Sequence, residues 1–145
     1  MILDTMARFS NAQAVNAGAG DVVSTDIYDT GSAADVGIGE ELFLQINVNA
    51  AITGAGASVQ FVLQTDDNSG FSSAKEFPLT AAIAVASLTI GSRQYLGRLP
   101  VNLERYLRLV YRISGASTTA GTVTSFLTKN PQVAPSIATT VPGVK

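Results

Sequence analysis

Two carboxylates stand side by side in QTDDNSGFSS, the stretch from Gln64 to Ser73, followed by an amide and, two places on, a glycine. Residues of these types serve calcium loops, glycosidase carboxylate pairs and tight turns, and their spacing separates the three. With Thr65 as position 1 of a calcium loop, Asp67 falls at position 3, Ser69 at 5, Gly70 at 6 and Glu76 at 12, which resembles EF-hand spacing. Position 1 of such a loop needs a carboxylate and here holds threonine; the flanks also alternate like strands, whereas that loop joins two helices. Adjacent residues of an extended chain point to opposite sides, so Asp66 and Asp67 do not suit a glycosidase pair facing one substrate across about 5 to 9.5 Å. Asp, Asn, Ser and Gly tolerate tight turns, and the segment reads as a connection between two β-strands.

Other chemistry is restricted by composition. The chain has no cysteine and no histidine, which removes disulfides, thiolate and imidazole metal sites, and the Ser-His-Asp and Cys-His arrangements. The GxG of VGIGEE, Gly37 and Gly39, precedes a strand, the reverse of the strand-turn-helix order in which glycines cradle a pyrophosphate. Arg105, Arg108 and Arg112 beside Tyr106 suggest a face that grips phosphates and stacks bases. The sequence pI near 4.9 lacks the basic balance of a nucleic-acid binder, so Arg108 and Arg112 are expected to pair with acids of the first half or with a partner protein. No catalytic, cofactor-binding or metal residue is expected; Tyr106, Arg108, Arg112, Asp66, Asp67 and Asn68 are the candidate partner contacts.

The elements that would position these residues show period-2 alternation. Leu42, Leu44, Ile46 and Val48 share one face, as do Val59, Phe61 and Leu63, and Leu107, Leu109, Tyr111 and Ile113. Further strands are expected near Ala7–Val15, Ser24–Tyr28, Ile83–Ile90, Arg93–Leu99 and Thr122–Lys129, between Gly-, Asn- and Asp-bearing turns. Eight or so short strands with almost no helical period point to an all-β, single-domain antiparallel β-sandwich or jelly roll. The last stretch, NPQVAPSIATTVPGVK, holds three prolines and one charge and suits an extended arm over residues 131–145, with the sandwich over 1–130.

At 145 residues one core is expected, and 14% charged residues leave a surface that is mostly uncharged and polar. Residues 1–74 carry nine acids against Arg8, a net of −8, and residues 75–145 carry eight bases against Glu76 and Glu104, a net of +6. Either strands of the two halves interleave and the charges mix, or complementary patches meet on neighbouring copies. No apolar run spans a bilayer and the N-terminus lacks a signal pattern, so a soluble, unexported protein with no membrane partner is expected.

Several phrases together resemble the capsid cement, or decoration, proteins of tailed bacteriophages of the Bordetella-phage type. They are MILD with SNAQAV, STDIYDTG, GEELFLQINV, LQTDDNSGFSS, IGSRQYLGRLP, ERYLRLVYRISG and TAGTVTSFLTKN, over about residues 1–130. The likeness implies a jelly roll, homo-oligomers (trimer or dimer) on the outer surface of an HK97-type shell, and a stabilising role towards the major capsid protein. It implies no catalytic residue and no cofactor, and it does not extend to the proline-bearing tail. The rival reading from another class is a carbohydrate-binding β-sandwich module, disfavoured by the absence of tryptophan and the presence of only four tyrosines. A carboxylate-only hydrolase would need a convergent pocket.

Overall fold

A computed structural model describes residues 4–32, 41–129 and 131. Within them ten strands follow one another: β1 (Arg8–Ala14), β2 (Gly20–Val23), β3 (Tyr28–Asp29), β4 (Phe43–Thr53), β5 (Ser58–Asp66), β6 (Lys75–Pro78), β7 (Ile83–Ala84), β8 (Arg93–Arg98), β9 (Tyr106–Ser114) and β10 (Ala120–Thr128). Two 3-10 turns, Thr5–Ala7 and Val85–Ser87, complete the set. The first is capped by the Asp4 carboxylate, which accepts the Met6 N–H at 2.9 Å.

The strands form two antiparallel sheets. One runs β1-β10-β4-β8; the other runs β2-β9-β5-β6, with β3 added to β9 and β7 to β5. This is the strand order of a jelly roll, in which each sheet draws on both ends of the chain. The expected all-β sandwich is therefore the fold.

The alternation in sequence is the alternation in space. Leu44, Ile46, Val48, Val59, Phe61, Leu63, Leu107, Leu109, Tyr111 and Ile113 all belong to the buried core between the sheets, with Phe9, Val15 and Val123. The rings of Phe61 and Tyr111 meet edge to face at 5.8 Å, a favoured aromatic arrangement. The Tyr111 hydroxyl crosses from β9 to the opposite sheet, 2.7 Å from Ser10 Oγ and 2.9 Å from Ser125 Oγ. Ser10 gives its one hydroxyl proton to Gln13 Oε1 at 2.6 Å, so Tyr111 donates to Ser10 and Ser125 donates to Tyr111. A buried polar chain thereby pins one sheet to the other.

Three segments depart from the expected strands. Around Ser24–Tyr28 the ladder is broken between β2 and β3, because the Ser24 hydroxyl accepts the Leu109 N–H and donates to Asp26 O, displacing regular pairing. Within Ile83–Ile90 only Ile83 and Ala84 are strand; beyond them Leu88 O accepts the Ile52 N–H of β4, so the segment crosses from one sheet to the other. Strand β6 was unmarked in the sequence, as its residues Lys-Glu-Phe-Pro carry two charges and a proline, and it lies at the margin of the sheet. The GxG of Gly37 and Gly39 and the arm over residues 132–145 lie outside the described residues.

Candidate interaction surface

With the odd positions of β5 and β9 turned inward, Gln60, Val62, Gln64, Tyr106, Arg108, Val110 and Arg112 take the outward parity. Register sets them in rows: Arg112 lies between Asp21 and Gln60, Arg108 opposite Gln64, and Tyr106 between Asp29 and Asp66. Val62 and Val110 face each other between the first two rows and are 0% and 1% exposed although they point away from the core.

Their burial follows from the reach of Arg112. Its guanidinium holds Asp21 through two bonds of 2.8 and 2.9 Å and Glu76 through two of 2.9 and 3.2 Å. Glu76 is the register partner of Gln64, four residues along β5 from the partner of Arg112, so the arginine stem must pass over the valine pair. Hydrogen bonding to Arg112 holds the Asp21 and Glu76 carboxyls below the usual carboxylate range, and both acids raise Arg112 in turn. Gln64 continues the network: Nε2 donates to Glu76 Oε1 at 2.8 Å, while Oε1 accepts from Arg108 Nε at 2.7 Å.

The QTDDNSGFSS segment connects β5 to β6 and folds back on its own first acid. Asp66 Oδ1 accepts from Asn68 N at 3.1 Å and Ser73 Oγ at 3.3 Å, and Oδ2 accepts from Ser73 N at 2.8 Å. These bonds, the Ser73 N–H first, hold Asp66 below its ordinary range. Both of its oxygens are taken by its own turn, Oδ1 closing an Asx turn on the Asn68 N–H and Oδ2 holding the Ser73 N–H. The chain leaves the extended conformation where β5 ends at Asp66, and the neighbouring Asp66 carboxylate pushes the Asp67 carboxyl above its ordinary range, with Glu104 adding to the effect. The turn then places Phe71 in the left-handed region at φ 51°, with its ring 4.1 Å beneath the Arg108 guanidinium.

At the same end, Arg105 grips Asp29 through bonds of 2.8 and 3.0 Å and lies 5.0 Å over the Tyr106 ring. Lys75 pairs with Glu104 at 2.6 Å, and the Glu104 N–H donates to Thr65 Oγ1 at 2.8 Å. The pairs Arg112–Asp21, Arg105–Asp29 and Arg98–Glu41 each join the acidic and basic halves, so strands of the two halves interleave and their charges mix within one chain.

The structure thus gathers the sequence candidates into one region. Asp66 and Tyr106 are paired across β5 and β9, Asp67 and Asn68 stand exposed in the adjoining turn, and Arg108 and Arg112 lie on the neighbouring outward face. Arg112 has its first-half acid, Asp21; Arg108 instead takes the amide of Gln64 and the face of Phe71. Phe71, Gln64 and Glu76 were not singled out as site residues. The one signal for Phe71 was an aromatic directly after Gly70 in an otherwise polar turn. Among the described residues, no group of three or more Asp, Glu, His or Cys is placed to hold a metal.

The outward sheet face held by arginines and the ordered turn at its end are carried by an antiparallel β-sandwich protein. A family model described as Bbp16 matches residues 9–127. The chain belongs to this family of Bordetella phage proteins. No curated protein matches the chain.

Proposed function

We propose that this phage protein is a structural component of the virion, which seats on the outside of an HK97-type capsid as a homo-oligomer and stabilises contacts between major capsid proteins. Membership of the Bordetella-phage family over residues 9–127 carries the reading. The side chains fit work by binding: without histidine or cysteine, the acids and arginines of the outward face are bonded into a network that fixes the shape of that face. A pre-shaped surface loses little entropy on association, and many equivalent seats on a shell multiply modest contact energies.

A carbohydrate-binding module would present aromatic platforms. Of the four tyrosines, Tyr111 is buried, Tyr28 and Tyr95 are partly buried against the core, and Tyr106 lies under Arg105, which counts against that rival.

The test is cosedimentation of the purified protein with shells that lack it, followed by heating of loaded and bare particles. Saturable loading with a higher disruption temperature is expected. Absence of loading, or loading without added stability, overturns the proposal.

A further inference from the structure

Arg108 differs from the other arginines of the outward face. Arg105 and Arg112 each hold carboxylates in two-point contact, whereas no carboxylate of the described residues lies within ion-pair distance of Arg108. Its Nε is fixed on Gln64 Oε1 at 2.7 Å, and its guanidinium is stacked on Phe71 at 4.1 Å. Gln64 is itself oriented by Glu76. The cation is thus held in one place by a stack and an amide, and its two terminal nitrogens make no hydrogen bond to the described residues.

Holding it there is costly. Burial lowers the Arg108 pKa, with Asp66 and Asp21 opposing that only from a distance, whereas carboxylate contact raises those of Arg105 and Arg112. Phe71 is a buried, non-glycine residue at φ 51°, a conformation that disfavours a bulky side chain and that here sets its ring under the guanidinium. The Asp66 latch on Asn68 and Ser73 keeps the turn in that shape. A fixed, partly desolvated guanidinium with an open two-nitrogen edge matches a carboxylate in bidentate geometry.

We propose that Arg108, presented on Phe71 and aligned by Gln64, is the anchor that receives an aspartate or glutamate side chain of the major capsid protein. This assignment rests on the reading of the chain as a capsid decoration protein. Charge complementarity selects the occupant: the site supplies a cation with no carboxylate of the described residues in ion-pair contact, so the partner supplies the anion.

The test compares the wild type with R108Q, R108K and F71L for loading on bare shells over a series of salt concentrations, with thermal melts to verify folding. R108Q is expected to bind about tenfold or more weaker, with a shallower salt dependence. R108K, which retains charge but loses the fork, and F71L, which loses the stack, are expected to fall between. If the wild type loads and R108Q and R108K load equally well, the anchor is overturned while the decoration reading stands. If the wild type does not load, both fall. If R108Q loads normally but sediments as a smaller species than the wild type, the carboxylate belongs to a second copy and the assignment to the capsid protein is overturned. Should R108Q fail to fold, equal loading by R108K and the wild type overturns the anchor.

Discussion

Arg112 and Glu76 are bonded across a diagonal of the outward face, although the register partner of Arg112 on β5 is Gln60 and that of Glu76 is Gln64. The arginine therefore works as a strap whose aliphatic stem shields the Val62–Val110 pair while its head ties β2 to β6. Shielding and pairing are separable. R112M retains the stem and should lose only the pair energy, about 0.5–1 kcal/mol for a partly exposed pair. R112A uncovers the valines as well and should lose about 1.5–3 kcal/mol. Urea denaturation of the two variants checks this; equal losses would reject the shielding role.

Acid should loosen the same region. Asp21, Asp29, Asp66 and Glu76 all have folded pKa values below their ordinary ones, through Arg112, Arg105, the Ser73 N–H and Arg112 respectively. The stability they contribute is present above the unfolded carboxylate range, about 3.9–4.3, and is lost as pH falls through the folded values. Asp67 runs the other way: its raised value stabilises at low pH and is lost as pH rises through it. Four lowered groups outweigh one raised, so the urea midpoint should drop between pH 5 and pH 3, and R112M should flatten that drop.

In the core, Tyr111→Phe leaves the packing of the ring intact and removes the hydroxyl between Ser10 and Ser125. Two buried hydroxyls then lose a partner, which costs about 1–3 kcal/mol. Ser125→Ala in the Tyr111→Phe background should recover part of the loss; a double-mutant cycle with no coupling would show that the three hydroxyls act separately.

Gly115 has φ +81°, and a Cβ there would stand 2.4 Å from the Gly56 carbonyl oxygen of the β4–β5 turn. Backbone strain and a backbone clash combine, so Gly115→Ala should cost about 2–4 kcal/mol. Gly18→Ala, where the Cβ would meet nothing within 4 Å, is the control and should change stability little.

The core was legible in the sequence because half-buried strands print their burial as alternation. Leu44, Ile46 and Val48, or Leu107, Leu109 and Tyr111, needed no tertiary knowledge. What lay hidden depended on contacts between distant segments. The Ser24 hydroxyl interrupts a strand by bonding Leu109, and β6 is defined by its pairing with β5 rather than by its own residues. The outward face shows the same division. Arginines at alternate positions announced a charged surface, but the difference between Arg112, clasped by two acids, and Arg108, stacked on Phe71, arises from the register and from the path of one turn. Asp66 and Asp67 were recognisable as turn residues; that Asp66 gives both oxygens to Asn68 and Ser73 follows from the path of the chain after β5 ends.

Strand β10 lies between β1 and β4, and this order governs synthesis. While the chain emerges from the ribosome, β1 has no neighbour to pair with until residues beyond Ala120 have been made. The β4–β8 pair can form before then, but the layer is complete only once β10 fills the place between β1 and β4, and until then Phe9 and Val15 on and beside β1 lack that cover. A message truncated within the final strand should therefore yield aggregate rather than a smaller folded protein.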